Sequence, residues 1–454
     1  MTRSLLGNKP LYHEILSIAI PISLQSLFQS SLSVIDQIMV GQLGTNSVAG
    51  IGLGGRFPNL FAVTLAAVGT SSSIMISQYC GANDRRGISR SFSTNGLLAL
   101  FITAVFFLTS IFFPVQILSC YTSDANIVTI GSDYLRIMSV SYIPLLITTM
   151  LSAVLRNTGH AKSPMIASII SVITNTILNY ILIFGNFGAP RLGVNGTAIA
   201  TTSARIIECL ILCSLFIKEQ KASILRIYPL ECISTDFIKK MLMIASPIII
   251  NEFLWGAGDT MYSVIYGHIG TEAMAAMTLT LPIQNLSIGL FTGVSSAAAI
   301  LVGNSLGKGT YAGAYKLSQR FIRYCILGSF GIGGVLCLIS GVYPNLFDVS
   351  GSTRHYTVLL IYIFSAFLFV KVSNMVLAGG ILRSGGKTVY TLAMEMFGTW
   401  AIGVPIGFLA AMVWHLPIEW VYCLITTEEV VRLVIGLLIF WSKKWMKQIT
   451  ITTA

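Results

Sequence analysis

Twelve apolar stretches, each near the length a helix needs to cross a bilayer, follow one another along the 454 residues with short polar breaks. Few folds are open to such a chain. Lipid offers backbone amides no partner, so every crossing must be a helix or part of a closed barrel. The stretches fall at 15–41, 49–77, 92–116, 130–154, 164–186, 194–217, 241–267, 276–304, 321–345, 356–381, 388–413 and 418–441. A barrel would need short segments of alternating polarity, and the chain has none. Only 10% of its residues are charged and 54% are hydrophobic, which is too little surface charge for a soluble domain. The fold class is all-α integral membrane. The first run is too long for a signal-peptide core and lacks a small-residue cleavage site, so it is expected to remain as a span.

The formal charge of +11 invites a nucleic-acid reading, but its placement says otherwise. Most Lys and Arg lie in alternate loops, such as Arg85, Arg86 and Arg90, then Lys218, Lys221, Arg226, Lys239 and Lys240, then Lys443, Lys444 and Lys447. The opposite loops hold Arg191 and Arg354. This is the positive-inside pattern, which puts both termini in the cytoplasm of a plasma-membrane protein and leaves no role for nucleic acid. The eight cysteines are scattered without CxxC pairs. Cys80, Cys232 and Cys325 fall at or near the cytoplasmic side, where disulfides do not persist, and are expected to be packing residues.

The chain also repeats itself. Residues 18–50 align without gaps on 244–276, matching Ile18 to Ile244, Pro21 to Pro247, Gly41 to Gly267, Gly44 to Gly270 and Thr45 to Thr271. The offset continues to Gly81 and Gly307, and grows by one for Leu155-Arg156 against Leu382-Arg383. Two copies of a six-helix unit follow. Six is even, so the copies are parallel bundles related by a pseudo-two-fold along the membrane normal. The expected organisation is an N-lobe over 1–217, a cytoplasmic linker over 218–240, a C-lobe over 241–441 and a basic tail over 442–454 lying at the lipid surface. Such a pair is expected to enclose a cleft and to open it to either side by rocking, which argues for a transporter.

Charge inside the spans marks candidate sites, since an ionised group facing lipid costs roughly 2.5–3.5 kcal/mol on insertion scales. Gln25, Gln29, Ser33 and Asp36 share one face of the first span. Asn175 and Asn179, one turn apart on the fifth, are placed to hydrogen-bond Asp36. Glu252 shares a face of the seventh span with Trp255, Asp259, Tyr262 and Tyr266, an arrangement suited to an organic cation through charge and cation–π attraction. Glu252 could equally bind a proton or sodium, or pair with Lys371 at similar depth. Gln29, Trp255, Asp259 and Tyr262 are the expected cavity residues, in a cavity both acidic and aromatic. Asp133 with Arg136, Arg205 with Glu208, and Arg432 with Glu428 or Glu429 have helical spacing for ordinary ion pairs. Glu395 has no partner near it in sequence and is expected to be structural.

Two glycine runs are discounted. GIGLGG at 50–55 fits a dinucleotide pattern without the strand it requires, and glycine in a span more often serves close helix packing. GNSLGKGT at 303–310 is one residue short of a phosphate loop. The five His show no metal spacing, so no resident metal or other cofactor is expected.

Asp36 within VIDQIMVGQLG, the LRNTGHAKSP turn, NTILNYILIFG followed by LGVNGTAIAT, and then NEFLWG, ILVGNSLG and TEEVVRL together resemble the multidrug and toxic compound extrusion (MATE) family, NorM-like members included. The resemblance runs nearly the full length and keeps the motif order. It implies antiport, with inward protons or sodium driving organic, cationic, amphipathic compounds outward. It assigns proton coupling to Asp36 and, from NorM-like members, a coupling glutamate to Glu252. Sodium would then sit at Asp36 or Glu252. Two departures stand out: Asn179 replaces an Asp that many members have, and Lys371 occupies a place where some sodium-linked members carry an acid. The expected protein is a monomeric transporter of small organic cations in the lipid bilayer, not an enzyme. The alternative is a lipid-linked oligosaccharide flippase from a related branch.

Overall fold

The computed structural model describes residues 11–122, 124–222, 235–347 and 349–450. Part of the expected linker (223–234, with Cys232) and the last four residues of the tail lie outside the described residues. The described chain is helical throughout. The spans are α1 (Leu11–Gly41), α2 (Ser47–Gly81), α3 (Arg85–Phe112), α4 (Ala125–Ser139 with Tyr142–Asn157), α5 (Lys162–Phe184) and α6 (Gly193–Ala222) in the first half. The second half holds α7 (Thr235–Ile269), α8 (Thr271–Gly307), α9 (Tyr311–Ile339), α10 (Gly351–Leu382), α11 (Thr388–Val413) and α12 (Ile418–Trp441). Nine of these are single helices long and apolar enough to cross a membrane, and the α4 pair, bent by 47°, is a tenth. With α1 and α12, of 31 and 24 residues, they make twelve.

Many helices outrun the apolar stretches that announce them, because a helix can continue past the hydrocarbon once its end is capped. α3 begins at Arg85, where the Asp84 carboxylate caps the N-terminus by accepting from the Gly87 amide at 2.9 Å. It stops at Phe112, short of the expected 116, because Pro114 bars helical geometry at Phe113. α1 and α7 run through Pro21 and Pro247 without a break.

The described residues gather into two compact units. Unit 1 takes 24–76 and 84–242. Its α5 and α6 are joined by a tight turn at Gly185, whose φ of 76° suits glycine. A side chain at Gly196 would meet the Leu182 carbonyl at 2.7 Å, so glycine there lets the two helices close together. The discounted glycine run also serves packing: a Cβ on Gly54 would lie 2.9 Å from the Gly131 carbonyl oxygen of α4.

Unit 2 takes the chain from Met243 onward together with the stretch ending at Ser23 and with Ser77–Asn83. The start of α1 and the end of α2 thus pack with the second repeat. Ser23 Oγ donates to the Leu290 carbonyl at 2.5 Å, and Gly293, Gly303 and Gly307 of α8 leave no space for side chains against Ala19, Ser77 and Gln78. The phosphate-loop look-alike is a packing face.

The tail does more than carry charge. Residues 442–450 fold into unit 2, with Ser442, Lys443, Lys444 and Lys447 left exposed. Trp445 is 0% exposed, stacks on Phe440, and donates its indole N–H to the Phe440 carbonyl at 3.1 Å. Gln448 donates to the Gly307 carbonyl at 2.9 Å, and Gln78 Oε1 accepts from the Ile449 amide at 2.6 Å. Gln78 also donates to the Ser384 and Lys447 carbonyls at 2.7 and 3.1 Å. The physical reason is that helix ends carry unpaired carbonyls and that an indole gains by burial.

Candidate functional site

Each unit contains a polar cavity. In unit 1 a cavity of about 740 Å³ is bounded by α1, α2, α4, α5 and α6, with Gln29, Asp36, Tyr134, Ser168, Asn175 and Thr201 in its wall. Helix periodicity brings Gln29 and Asp36 to this face, as the first-span stripe anticipates, while the Ser33 side chain lies outside the described part. Gln25, nearer the start of α1, accepts from Arg156 Nη2 at 2.8 Å.

Asp36 is held by amides. Asn179 Nδ2 donates to its Oδ1 at 2.7 Å and to Asn175 Oδ1 at 3.0 Å, and Asn175 in turn donates to Thr201 Oγ1 at 3.2 Å. Turning the Asn175 amide over gives the acid a second donor at 3.1 Å, at the expense of the bond between the asparagines. Both asparagines are buried, at 2% and 0% exposure, so the seat is rigid. Among the described residues, no cationic side chain lies within 4.0 Å of Asp36. An amide stabilises a carboxylate without neutralising it. The site can therefore take a proton or a cation on a carboxyl group whose position is already fixed.

Unit 2 holds a cavity of about 400 Å³ whose wall includes Glu252, Trp255, Lys371, Arg383, Glu395, Glu429 and Arg432. Its polarity corrects the expectation of an acidic, aromatic pocket: acids and bases alternate, and Trp255 is its aromatic contribution. The alternative of a Glu252–Lys371 pair is not the one found. Glu252 Oε1 pairs with Arg383 at 3.3 Å. Arg383 and Lys371 are twelve residues apart on α10, roughly 18 Å of helix, and Glu252 sits at the arginine's level. Lys371 lies instead 5.7 Å from the centroid of the Phe364 ring. Asp259 and Tyr262 are outside the cavity wall. They lie two to three turns beyond Glu252, and Tyr262 donates to Glu428 at 2.5 Å.

Glu395, without a partner near it in sequence, has three in space: Asn251 at 2.5 Å, and Arg383 and Arg432 at 3.8 Å each. Arg432 also meets Glu428 at 3.4 Å and Glu429 at 3.5 Å. Asn374 donates to the Glu429 carboxylate at 2.7 Å. The backbone adapts to this cluster. α10 turns π-helical over Met375–Leu382 and α11 over Phe397–Gly403, and Gly398 and Gly403 leave space that Arg432 and the Glu428–Tyr262 pair fill. Arg383 and Arg432 are the residues the sequence reading missed as site residues. The internal repeat carried the signal: the offset of 227 that maps Arg156 to Arg383 also maps Arg205 to Arg432, so each half places two arginines at equivalent positions.

Fold and site together define a polytopic helical membrane protein built from two repeats, each with its own buried polar chamber. The MatE family model matches at 21–181 and again at 247–409, two segments beginning at the offset read from the internal repeat. The chain belongs to the MatE family, a family of membrane transporters and not of enzymes. The model for the lipid II flippase MurJ also matches residues 122–269. Relatives include a probable multidrug resistance protein NorM of Thermotoga maritima, 24% identical over 97% of this chain and 94% of its own length. The Bacillus subtilis NorM is 26% identical over 87% and 88%. A crystal structure of MATE in complex with MaL6 has the same fold, with a TM-score of 0.86 over 95% of this chain and 96% of that one at 18% identity. So does a MOP superfamily transporter from Pyrococcus furiosus, described as having a binding pocket of reverse polarity that suggests a different function. Its TM-score is 0.85 over 94% and 95% at 19% identity.

Proposed function

We propose that this chain is a secondary-active antiporter that exports organic cations in exchange for protons or sodium, with Asp36 as the group on which cation and cargo compete. One observation carries this reading: Asp36 faces a chamber of about 740 Å³, held in place by neutral amides and, among the described residues, with no cationic side chain within 4.0 Å. Glu252, the other candidate coupling acid, has one oxygen committed to Arg383, so coupling rests on the first half. The NorM-named relatives support multidrug efflux as the cargo class. An ion gradient is sufficient as a source of energy, at about 2.3 kcal/mol per charge for each 100 mV. The positive-inside pattern supports cytoplasmic termini in a plasma membrane. The test uses inverted membrane vesicles with ethidium as the reporter and either a pH or a sodium gradient imposed. The gradient that drives uptake identifies the ion. Asp36→Asn should abolish driven uptake while the protein remains in the membrane, and uptake at the wild-type rate would remove Asp36 from the mechanism.

A second reading has its own support. The flippase match and the presence of Lys371, Arg383 and Arg432 in the unit 2 cavity suit an acidic, lipid-linked cargo. Against it, both arginines are already bound by carboxylates and the unit 1 chamber carries a net negative wall. Translocation of a fluorescent lipid-linked pyrophosphate in proteoliposomes, without ethidium transport, would favour the flippase.

A further inference from the structure

The wall of the Asp36 chamber contains two further charged groups, Arg205 and Glu208, both on α6. They pair at 3.2 Å, and Glu208 is only 6% exposed. Arg156 on α4 has its guanidinium tied to Gln25 at 2.8 Å and is not part of the wall. Two carboxylates and one guanidinium leave the wall with a single net negative charge. We propose that Arg205 is a specificity-determining residue of this chamber. By cancelling Glu208 it restricts the site to organic monocations and turns dications away. This rests on the reading of Asp36 given above.

The physical reason is charge matching in a confined space. A chamber of about 740 Å³ lies within the range of roughly 300–1,000 Å³ that accepts most drug-sized molecules, so volume discriminates little. Charge discriminates strongly. A monocation that meets Asp36 leaves no surplus. A dication brings a second charge out of water with nothing to pair it, beside a guanidinium that repels it. Without Arg205 the same wall would carry two negative charges and would suit the dication better.

Ethidium and propidium supply the probe, since they share one ring system and carry one and two positive charges. Fluorescence titration of the purified full-length protein should show tighter binding of ethidium. Arg205→Gln should move the affinity ratio toward propidium by about tenfold, and Arg205→Lys should keep the wild-type ratio. Glu208→Gln should move the ratio the other way, weakening both dyes and propidium more. It gives an independent readout if Arg205→Gln does not fold. A ratio that stays at the wild-type value in whichever of these two charge-removing variants folds overturns the proposal. Asp36→Asn separates the two layers. If it loses ethidium while Arg205→Gln leaves the ratio unchanged, the Asp36 reading stands and this one falls. If Asp36→Asn binds ethidium like the wild type, the Asp36 reading falls first.

Discussion

Asp36 and Glu252 are half-buried acids in the two halves, and their neighbours give them different roles. Asn179 donates to Asp36 and leaves its charge in place, whereas Arg383 gives Glu252 a countercharge. Asn179→Leu should therefore preserve the acid but unseat it, lowering driven ethidium transport at least about tenfold with surface expression unchanged, since one such charge-assisted bond contributes roughly 1.5–3 kcal/mol. Glu252→Gln should be mild in stability, because Arg383 keeps Glu395 beside it. Arg432→Leu should be severe. It leaves Glu395, Glu428 and Glu429 without their shared guanidinium, and stripping one partner from a buried pair costs about 3–5 kcal/mol. Thermal unfolding of the detergent-solubilised variants would order the two, and Arg432→Leu melting with Glu252→Gln would contradict the network. The asparagine seat of Asp36 was legible because i, i+4 spacing is a local property of a helix. The Glu252–Arg383 pair was not, because depth within neighbouring spans depends on where each helix begins, and a charged loop motif such as LRSGGKT gives no hint that its arginine turns inward.

Helix existence was readable from apolar length, whereas helix ends and helix type were not. Hydropathy marks what lipid covers, so the polar first turns of α3, capped by Asp84, and of α9 were invisible to it. The π-helical stretches of α10 and α11 widen the backbone around a charge cluster that assembles only in three dimensions. Glycines at this cluster are expected to be intolerant. Gly403→Ala would push a methyl into Glu428 and Tyr262, and forcing extra volume into a packed interior costs about 1–3 kcal/mol. Gly52, which has nothing within 4 Å of the same hypothetical methyl, is the matched control. Lower melting temperature for Gly403→Ala and none for Gly52→Ala is the expected pattern, and equal melting would show that the cluster has slack.

The repeat was legible across the whole molecule, because two similar blocks at a fixed offset leave a trace in sequence however the halves are arranged. The fate of residues 442–450 was not, since Gln78 and Gly307, which receive them, lie far away along the chain. The anchoring of this segment has a consequence for biogenesis. The end of α2 enters the bilayer early in synthesis, yet Gln78 completes its bonds only when Lys447 and Ile449 have left the ribosome. Until then the Gly307 carbonyl must make do with water or with a chaperone. A released chain truncated after residue 441 should be cut by protease near α2 and α8, while the full chain should resist.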